Sequence, residues 1–238
     1  MLSVFVAVSF PVFLVLTGVR LIATEAFLQI EYNRPGFPDD RYGFSKKDRL
    51  TYAPYAVEYL LNDAGIEYLG NLTFENGSPL FEPDELRHME DVKVVTRAAL
   101  RAHIIISAGL LAAAGVLAWR QETRDALRHA FFTGGVLIIS VILTLVVLIL
   151  ASWDFFFDNF HNLFFESGTW QFSYSDTLIR LFPEQFWFDA AMSIGAFTVI
   201  GALVASGGVW LWERRQMQAS RSAPDSQITA FEDDPGAV

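Results

Sequence analysis

Four long stretches that are almost free of charged residues constrain this 238-residue chain more than any other feature. Each is close to the ~20 apolar residues that a helix needs to cross a bilayer. Backbone N–H and C=O groups in lipid must be satisfied within their own segment, which for separate spans only a helix achieves. The sequence therefore predicts an all-α integral membrane protein with four transmembrane helices, at about residues 1–23, 102–119, 131–152 and 190–212.

Arginines set the predicted orientation of these spans. The short connection 120–130 carries three of them, and Arg214 and Arg215 directly follow the fourth span. The positive-inside rule places these segments, and with them both termini, in the cytoplasm. The two long connections, 24–101 and 153–189, are then expected to form an extracellular cap.

The chain divides into one predicted membrane domain, residues 1–212, and a tail. The tail, residues 213–238, is polar and acidic, and we expect it to be a disordered cytoplasmic segment. Within the spans, small residues that lie four positions apart predict close packing between helices. These residues are Gly109 with Ala113 and Gly201 with Ala205.

Composition and motifs exclude several classes of function. The formal net charge of −10 argues against a nucleic-acid partner. The chain has no cysteine, no G-x-S-x-G sequence, no Gly-rich phosphate loop and no dinucleotide fingerprint. Acyl transfer through a protein thiolate or serine and cofactor-dependent redox chemistry are therefore not expected. A metal site of histidines and carboxylates stays open as a minor alternative, although H-E-x-x-H is absent.

The second long connection is unusually aromatic. Residues 153–189 hold 14 of the 35 aromatic residues of the chain, and most of the 14 are phenylalanine. One interpretation is an interfacial belt, since tryptophan and tyrosine anchor at the level of the headgroups. The other is an apolar pocket at the membrane surface that takes a lipid-bearing substrate.

Two of the four histidines lie near carboxylates in the expected cap. His88 has Asp91 three residues later, on a helix that Pro83 is expected to start, and His161 has Asp158 three residues earlier. These spacings put each pair on one helix face. A carboxylate beside an imidazole fixes its tautomer and raises its pKa, as suits a general base. Two ordinary surface His–Asp contacts are the alternative, and the residues alone leave both open.

Three segments of the cap resemble the lipoprotein intramolecular transacylases, which belong to a broader family of four-span bacterial membrane proteins. The segments are YGFSKKDRLTYAPYAVEYL from Tyr42, LRHMEDVK from Leu86, and FHNLFF from Phe160 with its continuation to Trp187. Their order and spacing, and the four-span layout, fit the family over residues 1–212.

The resemblance implies an acyltransferase of the bacterial cell membrane, with its site between the cap and the outer membrane face. The implied reaction moves the sn-2 acyl chain of a diacylglyceryl lipoprotein onto the α-amine of its N-terminal cysteine and gives the lyso form. No metal and no cofactor are implied, and the partners are the lipoprotein substrate and membrane lipids. Two functions compete with this one: a non-enzymatic lipid- or lipoprotein-binding membrane protein, and a metal-dependent membrane hydrolase.

The resemblance also assigns residues. His88 and His161 are the implied catalytic acid and base, in an order that the sequence leaves open, and Asp91 and Asp158 are candidate orienting groups. Candidate donors to the tetrahedral oxyanion are Asn159, Asn162, Trp170 and Arg180. The residues implied for an acyl pocket are Phe160, Phe164, Phe165 and Phe186.

The orientation is tested by cysteine labelling, which the cysteine-free chain makes unambiguous. We expect Ser167→Cys to react with a membrane-impermeant reagent in intact cells, because Ser167 lies in the expected outer cap. Thr123→Cys, in the short arginine-rich connection, should react only after the cells are opened. Labelling of Thr123→Cys but not of Ser167→Cys in intact cells would contradict the topology.

Overall fold

The computed structural model describes residues 1–222, and their regular secondary structure is helical apart from one isolated bridge, Thr73 to Pro79. In chain order the first helices are α1 (Leu2–Ile22), α2 (Glu25–Asn33), α3 (Lys46–Leu61), α4 (Glu67–Gly70) and α5 (Pro83–Trp119). The remaining ones are α6 (Arg124–Ala151), α7 (Trp153–Phe164), α8 (Thr177–Leu181) and α9 (Glu184–Ser222). Within the described range, α1, α5, α6 and α9 are long and apolar enough to cross a membrane, which confirms the predicted fold class.

The helices extend beyond the predicted spans. Helix α5 is continuous from Pro83 to Trp119, so it joins the second span to a helix that belongs to the cap. Helix α9 starts at Glu184, before the predicted span, and continues to Ser222 through the first residues of the predicted tail. The rest of that tail, residues 223–238, lies outside the described residues.

Helix α1 is the centre of the membrane bundle, because it packs against α5, α6 and α9, while α6 also packs against α9. Its buried Phe10 and Leu14 belong to the apolar core that the spans share. Two of the small residues noted in the sequence do lie against α1. Gly109 of α5 faces Phe5, and Gly201 of α9 faces Leu14. Glycine allows these close approaches because it has no side chain.

One close backbone approach in the bundle lies beside a proline. Pro11 has no N–H, so it cannot make the helical hydrogen bond to the carbonyl of Ala7 four residues earlier. Gly134 of α6 lies against this point, and a Cβ atom added to it would be 2.6 Å from the Ala7 oxygen and 3.2 Å from the Pro11 Cδ. The Ala7 carbonyl has no helical hydrogen bond, because Pro11 has no N–H to donate to it. Only a glycine at position 134 lets the α6 backbone come this close to that carbonyl.

The two long connections meet at one end of the bundle and share a second core. We call this unit, residues 24–101 and 153–189, the cap. Its buried side chains come from α2, α3, α4, the first turns of α5 and the region of α8. The largest contributors are Leu28, Tyr32, Tyr59, Leu69, Phe81, Met89, Leu181, Phe182 and Phe186. The cap is therefore a packed unit of its own and not a pair of surface loops.

Buried polar side chains hold the short helix α8 at both ends. At its start, a carboxylate oxygen of the fully buried Glu85 accepts a hydrogen bond from the Leu178 N–H at 2.6 Å. At its end, the Tyr32 hydroxyl donates to the Leu181 carbonyl at 2.8 Å. Both contacts cross from the first connection to the second, so they fix the position of the aromatic segment that precedes α8.

The contact between Gly134 and α1 predicts a large effect from one methyl group. Gly134→Ala should lower the free energy of unfolding by about 1–3 kcal/mol, because overpacking a tight contact forces the backbones apart. Gly115→Ala is the matched control, since nothing lies within 4 Å of its added Cβ. Thermal unfolding in detergent measures both variants. Equal melting temperatures for the two would contradict the contact.

Candidate active site

His88 and His161 lie side by side although 72 residues separate them in the chain. His88 comes from the second turn of α5 and His161 from the last turn of α7. Their ring centroids are 6.4 Å apart, and the ring planes are inclined by 27°. The structure therefore brings together the two histidines that the sequence singles out, from two different connections of the cap.

Aromatic rings enclose the histidine pair. Phe165 packs edge-on against His88 at a centroid distance of 4.9 Å, and Phe172 lies at 5.4 Å. Phe157 and Trp170 contact His161, with centroids at 4.0 Å and 4.7 Å. The site is thus an apolar enclosure with two imidazoles, which suits a substrate whose reacting groups are attached to lipid chains.

A backbone carbonyl selects the tautomer of His161. Its Nδ1 lies 2.9 Å from the carbonyl oxygen of Phe157, one turn earlier in α7. A carbonyl oxygen only accepts hydrogen bonds, so Nδ1 carries the hydrogen. In the neutral ring, Nε2 is then the atom with the free lone pair. His161 is thereby prepared to accept a proton at Nε2.

Two other nitrogen atoms of the site are buried without a hydrogen-bond partner among the described residues. They are Nδ1 of His88 and Nε1 of Trp170. An indole nitrogen can only donate, and burying an unsatisfied polar group costs about 1–3 kcal/mol. Such atoms need an explanation in a folded protein. A bound substrate that supplies oxygen atoms would satisfy both.

Burial lowers the pKa of both histidines, which lie outside the apolar spans. The pKa of His88 falls to about 4, mainly because burial disfavours the charged ring and secondarily because His161 is near. The pKa of His161 is also lowered, again mainly by burial, while its bond to the Phe157 carbonyl acts in the opposite direction. Both rings are therefore neutral at pH 7.

The two candidate orienting carboxylates do not contact the histidines directly. Asp91 and Asp158 are exposed, and no hydrogen bond joins either of them to an imidazole within the described part of the chain. Each acts only as a nearby charge that favours the protonated ring. The backbone carbonyl of Phe157, and not a carboxylate, is the group that orients His161.

The four candidate donors to the oxyanion differ in burial and in their hydrogen-bond partners. Trp170 is buried and packs on His161, as an oxyanion donor requires. Arg180 instead donates to the Asp40 carboxylate at 3.3 Å and to the Tyr42 carbonyl at 3.0 Å. The side chain of Asn159 donates to its own helix, to the Phe155 carbonyl. Asn162 is exposed on α7.

The four phenylalanines assigned to an acyl pocket do not form one group. Phe165 contacts His88 directly. Phe160 and Phe164 pack on each other at a centroid distance of 5.1 Å and are exposed on α7. Phe186 lies in the core of the cap, away from this pair, where it contacts Phe27, Tyr32, Phe182 and Trp187.

Three residues of the site were not singled out from the sequence. Phe157 precedes His161 by one helical turn, and this spacing was the available signal. Glu85 precedes His88 by three residues and bonds both the Leu178 N–H and the Glu82 N–H. Phe172, which packs on His88, comes from a loop whose position depends on α8. A local pattern does not reveal such a contact.

The described residues contain no group of three or more histidine, aspartate or glutamate side chains placed to hold a metal ion. The two histidines alone provide two nitrogen ligands, whereas protein zinc sites use three or four protein ligands. The arrangement is therefore better suited to proton transfer between substrate atoms than to metal binding.

The lowered pKa of His88 predicts a pH-dependent stability. The folded state holds this pKa at about 4 against the ordinary 6.5, so the unfolded state binds more protons between these values. The free energy of unfolding should fall as the pH drops from about 6.5 to 4, and His88→Phe should weaken this fall. Thermal unfolding across this range measures the slope. A slope in His88→Phe equal to that of the wild type would contradict this assignment.

Comparisons with known proteins agree with this geometry. The family model described as lipoprotein intramolecular transacylase Lit matches residues 4–187. An uncharacterized protein from Aquifex aeolicus is 30% identical over 210 residues, which cover 88% of this chain and 94% of the relative.

Solved structures of one protein share the fold. The membrane-integral lipoprotein intramolecular transacylase Lit from Bacillus cereus superposes with a TM-score of 0.71 at 17% identity, over 93% of this chain and 97% of its own. A variant of it in which one histidine is replaced by arginine gives 0.66 at 17% identity, over 91% and 93%. The match of the family model over most of the chain shows that this protein belongs to the lipoprotein intramolecular transacylase family.

Proposed function

We propose that this protein moves the sn-2 acyl chain of a diacylglyceryl lipoprotein onto the free α-amine of its N-terminal cysteine. Membership of the family supplies the class of reaction, an acyl transfer within one lipoprotein molecule. The observation that carries the specific proposal is the pair His88 and His161, whose rings lie 6.4 Å apart inside an aromatic enclosure.

The reaction needs no nucleophile from the protein, because the amine and the ester belong to the same substrate. An α-amine has a pKa of about 8, so a base near neutrality can take its proton as the nitrogen attacks the ester carbon. The new C–N bond forms, and the bond between that carbon and the glyceryl oxygen breaks. One proton leaves the nitrogen and one reaches the oxygen, so the histidine pair ends with the proton count it began with.

We assign the role of base to His161. Its Nδ1 hydrogen is held by the Phe157 carbonyl, so Nε2 is the atom that accepts the proton of the amine. The protonated ring then returns this proton to the departing glyceryl oxygen. His88, which burial keeps neutral, donates a hydrogen bond to the same oxygen as negative charge develops on it.

Trp170 is the best-placed candidate for the oxyanion of the tetrahedral intermediate. Its buried Nε1–H has no partner among the described residues, and its ring packs on His161 at a centroid distance of 4.7 Å. A donor in an apolar enclosure stabilises developing charge more strongly than it does in water. Arg180 is a weaker candidate, because Asp40 and the Tyr42 carbonyl already occupy its guanidinium group.

We place the cap on the outer face of a bacterial cell membrane, with both termini in the cytoplasm. The arginines of the 120–130 connection and at positions 214 and 215 support this orientation, since such residues favour the cytoplasmic side. The partners are the lipoprotein substrate, which is itself anchored in the membrane by its acyl chains, and the surrounding lipids.

Replacement of either histidine tests the mechanism. His161→Ala should reduce conversion to the lyso form by roughly 10²–10⁴-fold, the loss expected when a general base is removed. His88→Ala should reduce it by roughly 10²–10³-fold, the loss expected when a hydrogen-bond donor to developing negative charge is removed. The assay is expression in a strain that makes only diacylglyceryl lipoproteins, followed by mass spectrometry of the N-terminal peptide. Membrane levels and thermal unfolding must match the wild type for the loss to count.

The other two histidines are the matched controls. His129→Ala should retain activity, because His129 is exposed beside the short connection at the other end of the bundle. His103→Ala should have a small effect on activity, since its ring contacts Thr17 and Phe13 within the bundle. A wild type that leaves the substrate unchanged would refute the transacylase proposal and favour a lipid-binding function. Active His88 and His161 variants would refute the two-histidine mechanism alone.

A further inference from the structure

Helix α7 presents different stripes of side chains to different surroundings. Residues four positions apart lie on the same face of a helix. Each stripe therefore consists of residues at steps of four along α7. Trp153, Phe157 and His161 face the protein, where they contact Phe188 and Trp170. On the next stripe round the helix are Asp154, Asp158 and Asn162, all of which are exposed.

A third stripe is apolar, and the ring contacts that its phenylalanines make among the described residues are with α7 itself and with Phe165, the residue that directly follows it. Phe156, Phe160 and Phe164 stack along it at centroid distances of 6.2 Å and 5.1 Å. Phe160 is 48% exposed and Phe164 46%, and Leu163 beside them is 75% exposed. Such a contiguous apolar surface on an otherwise packed unit indicates a binding surface.

We propose that α7 is an interfacial anchor, whose stripe of Phe156, Phe160, Leu163 and Phe164 lies in the hydrocarbon of the membrane leaflet next to the cap. The occupant of this surface is bulk membrane lipid. The inference concerns the placement of the helix and does not require the proposed reaction.

The position of α7 in the chain favours lipid over a protein partner. Helix α6, a membrane span, ends at Ala151, and α7 starts at Trp153 after the single residue Ser152. The start of α7 is therefore at the membrane surface. An amphipathic helix at this place buries its apolar face about 5–10 Å into the headgroup and acyl boundary.

The polar stripe completes the match to an interface. Asp154, Asp158 and Asn162 face the aqueous side while the phenylalanines face the lipid, which is the division that holds a helix at a membrane surface. Phe155 is the one exposed aromatic outside the apolar stripe, and it lies in the first turn, next to the end of the span.

This placement explains how a membrane-anchored substrate reaches an enclosed site. His161 lies on the protein-facing stripe, which directly adjoins the apolar one, so its ring stands at the boundary between lipid and protein. An ester at the glyceryl level of a lipid molecule lies at the same boundary. Under the proposed function, the substrate therefore approaches the histidine pair sideways from the leaflet, with its acyl chains still in lipid.

Site-directed spin labelling tests the anchor, and the absence of native cysteine makes single labels clean. The full chain is reconstituted in phosphatidylcholine–phosphatidylglycerol nanodiscs, with a nitroxide at Leu163→Cys and, in a second sample, at the neighbouring Asn162→Cys. Collision rates with oxygen, which concentrates in lipid, are compared with those of a water-soluble nickel complex. The ratio of oxygen to nickel should exceed one at position 163 and fall below one at position 162.

Other outcomes overturn the inference. Preferential collision with nickel at both positions would mean that the helix stands clear of the membrane in water. Low collision rates with both reagents at position 163 would mean that protein, from a second copy or another partner, covers the stripe. The measurement makes no use of acyl transfer. An inactive wild type would therefore refute the proposed function and leave the anchor to be judged by its collision ratios.

Discussion

The fold of the cap depends on one buried carboxylate. Glu85 is fully enclosed, and its two oxygens accept hydrogen bonds from the N–H groups of Leu178 and Glu82. Burial raises its pKa, while these two bonds partly counteract the rise. An enclosed acceptor of this kind is costly unless both partners are in place, so it fixes α8 against α5. His88 lies one turn further along α5, which means that the same side chain ties the site to the loop that covers it.

The sequence predicted best those features that depend on a single continuous segment of the chain. Absence of charge located the spans, because a lipid environment penalises every charged residue in a segment regardless of tertiary structure. Carboxylate spacing also singled out His88 and His161, but the reason was different from the one the structure gives. Asp91 and Asp158 are exposed and make no bond to the rings, whereas the Phe157 carbonyl orients His161. The prediction named the two histidines that meet, and the orienting contact that the structure adds for His161 is a backbone carbonyl.

Contacts between distant segments were beyond the reach of local patterns. Arg180 is an ordinary cation in the sequence, yet in the fold it donates hydrogen bonds to the Asp40 carboxylate and the Tyr42 carbonyl, which lie 140 and 138 residues away in the chain. Phe186 was grouped with the aromatic loop by composition, and it packs in the core of the cap. The partners of Arg180 and Phe186 depend on which surfaces meet when the two connections fold together. The spacing of residues along one connection does not predict such contacts.

The helices that carry the two imidazoles are connected to the membrane spans in different ways. His88 belongs to α5, a continuous helix of 37 residues. The C-terminal part of α5 packs in the membrane bundle, so the His88 backbone is continuous with a membrane span. His161 belongs to a helix of 12 residues that is joined to its span through one non-helical residue. The position of His88 therefore depends on the packing of the spans, whereas the position of His161 depends on the side-chain contacts that α7 makes with Trp170 and Phe188.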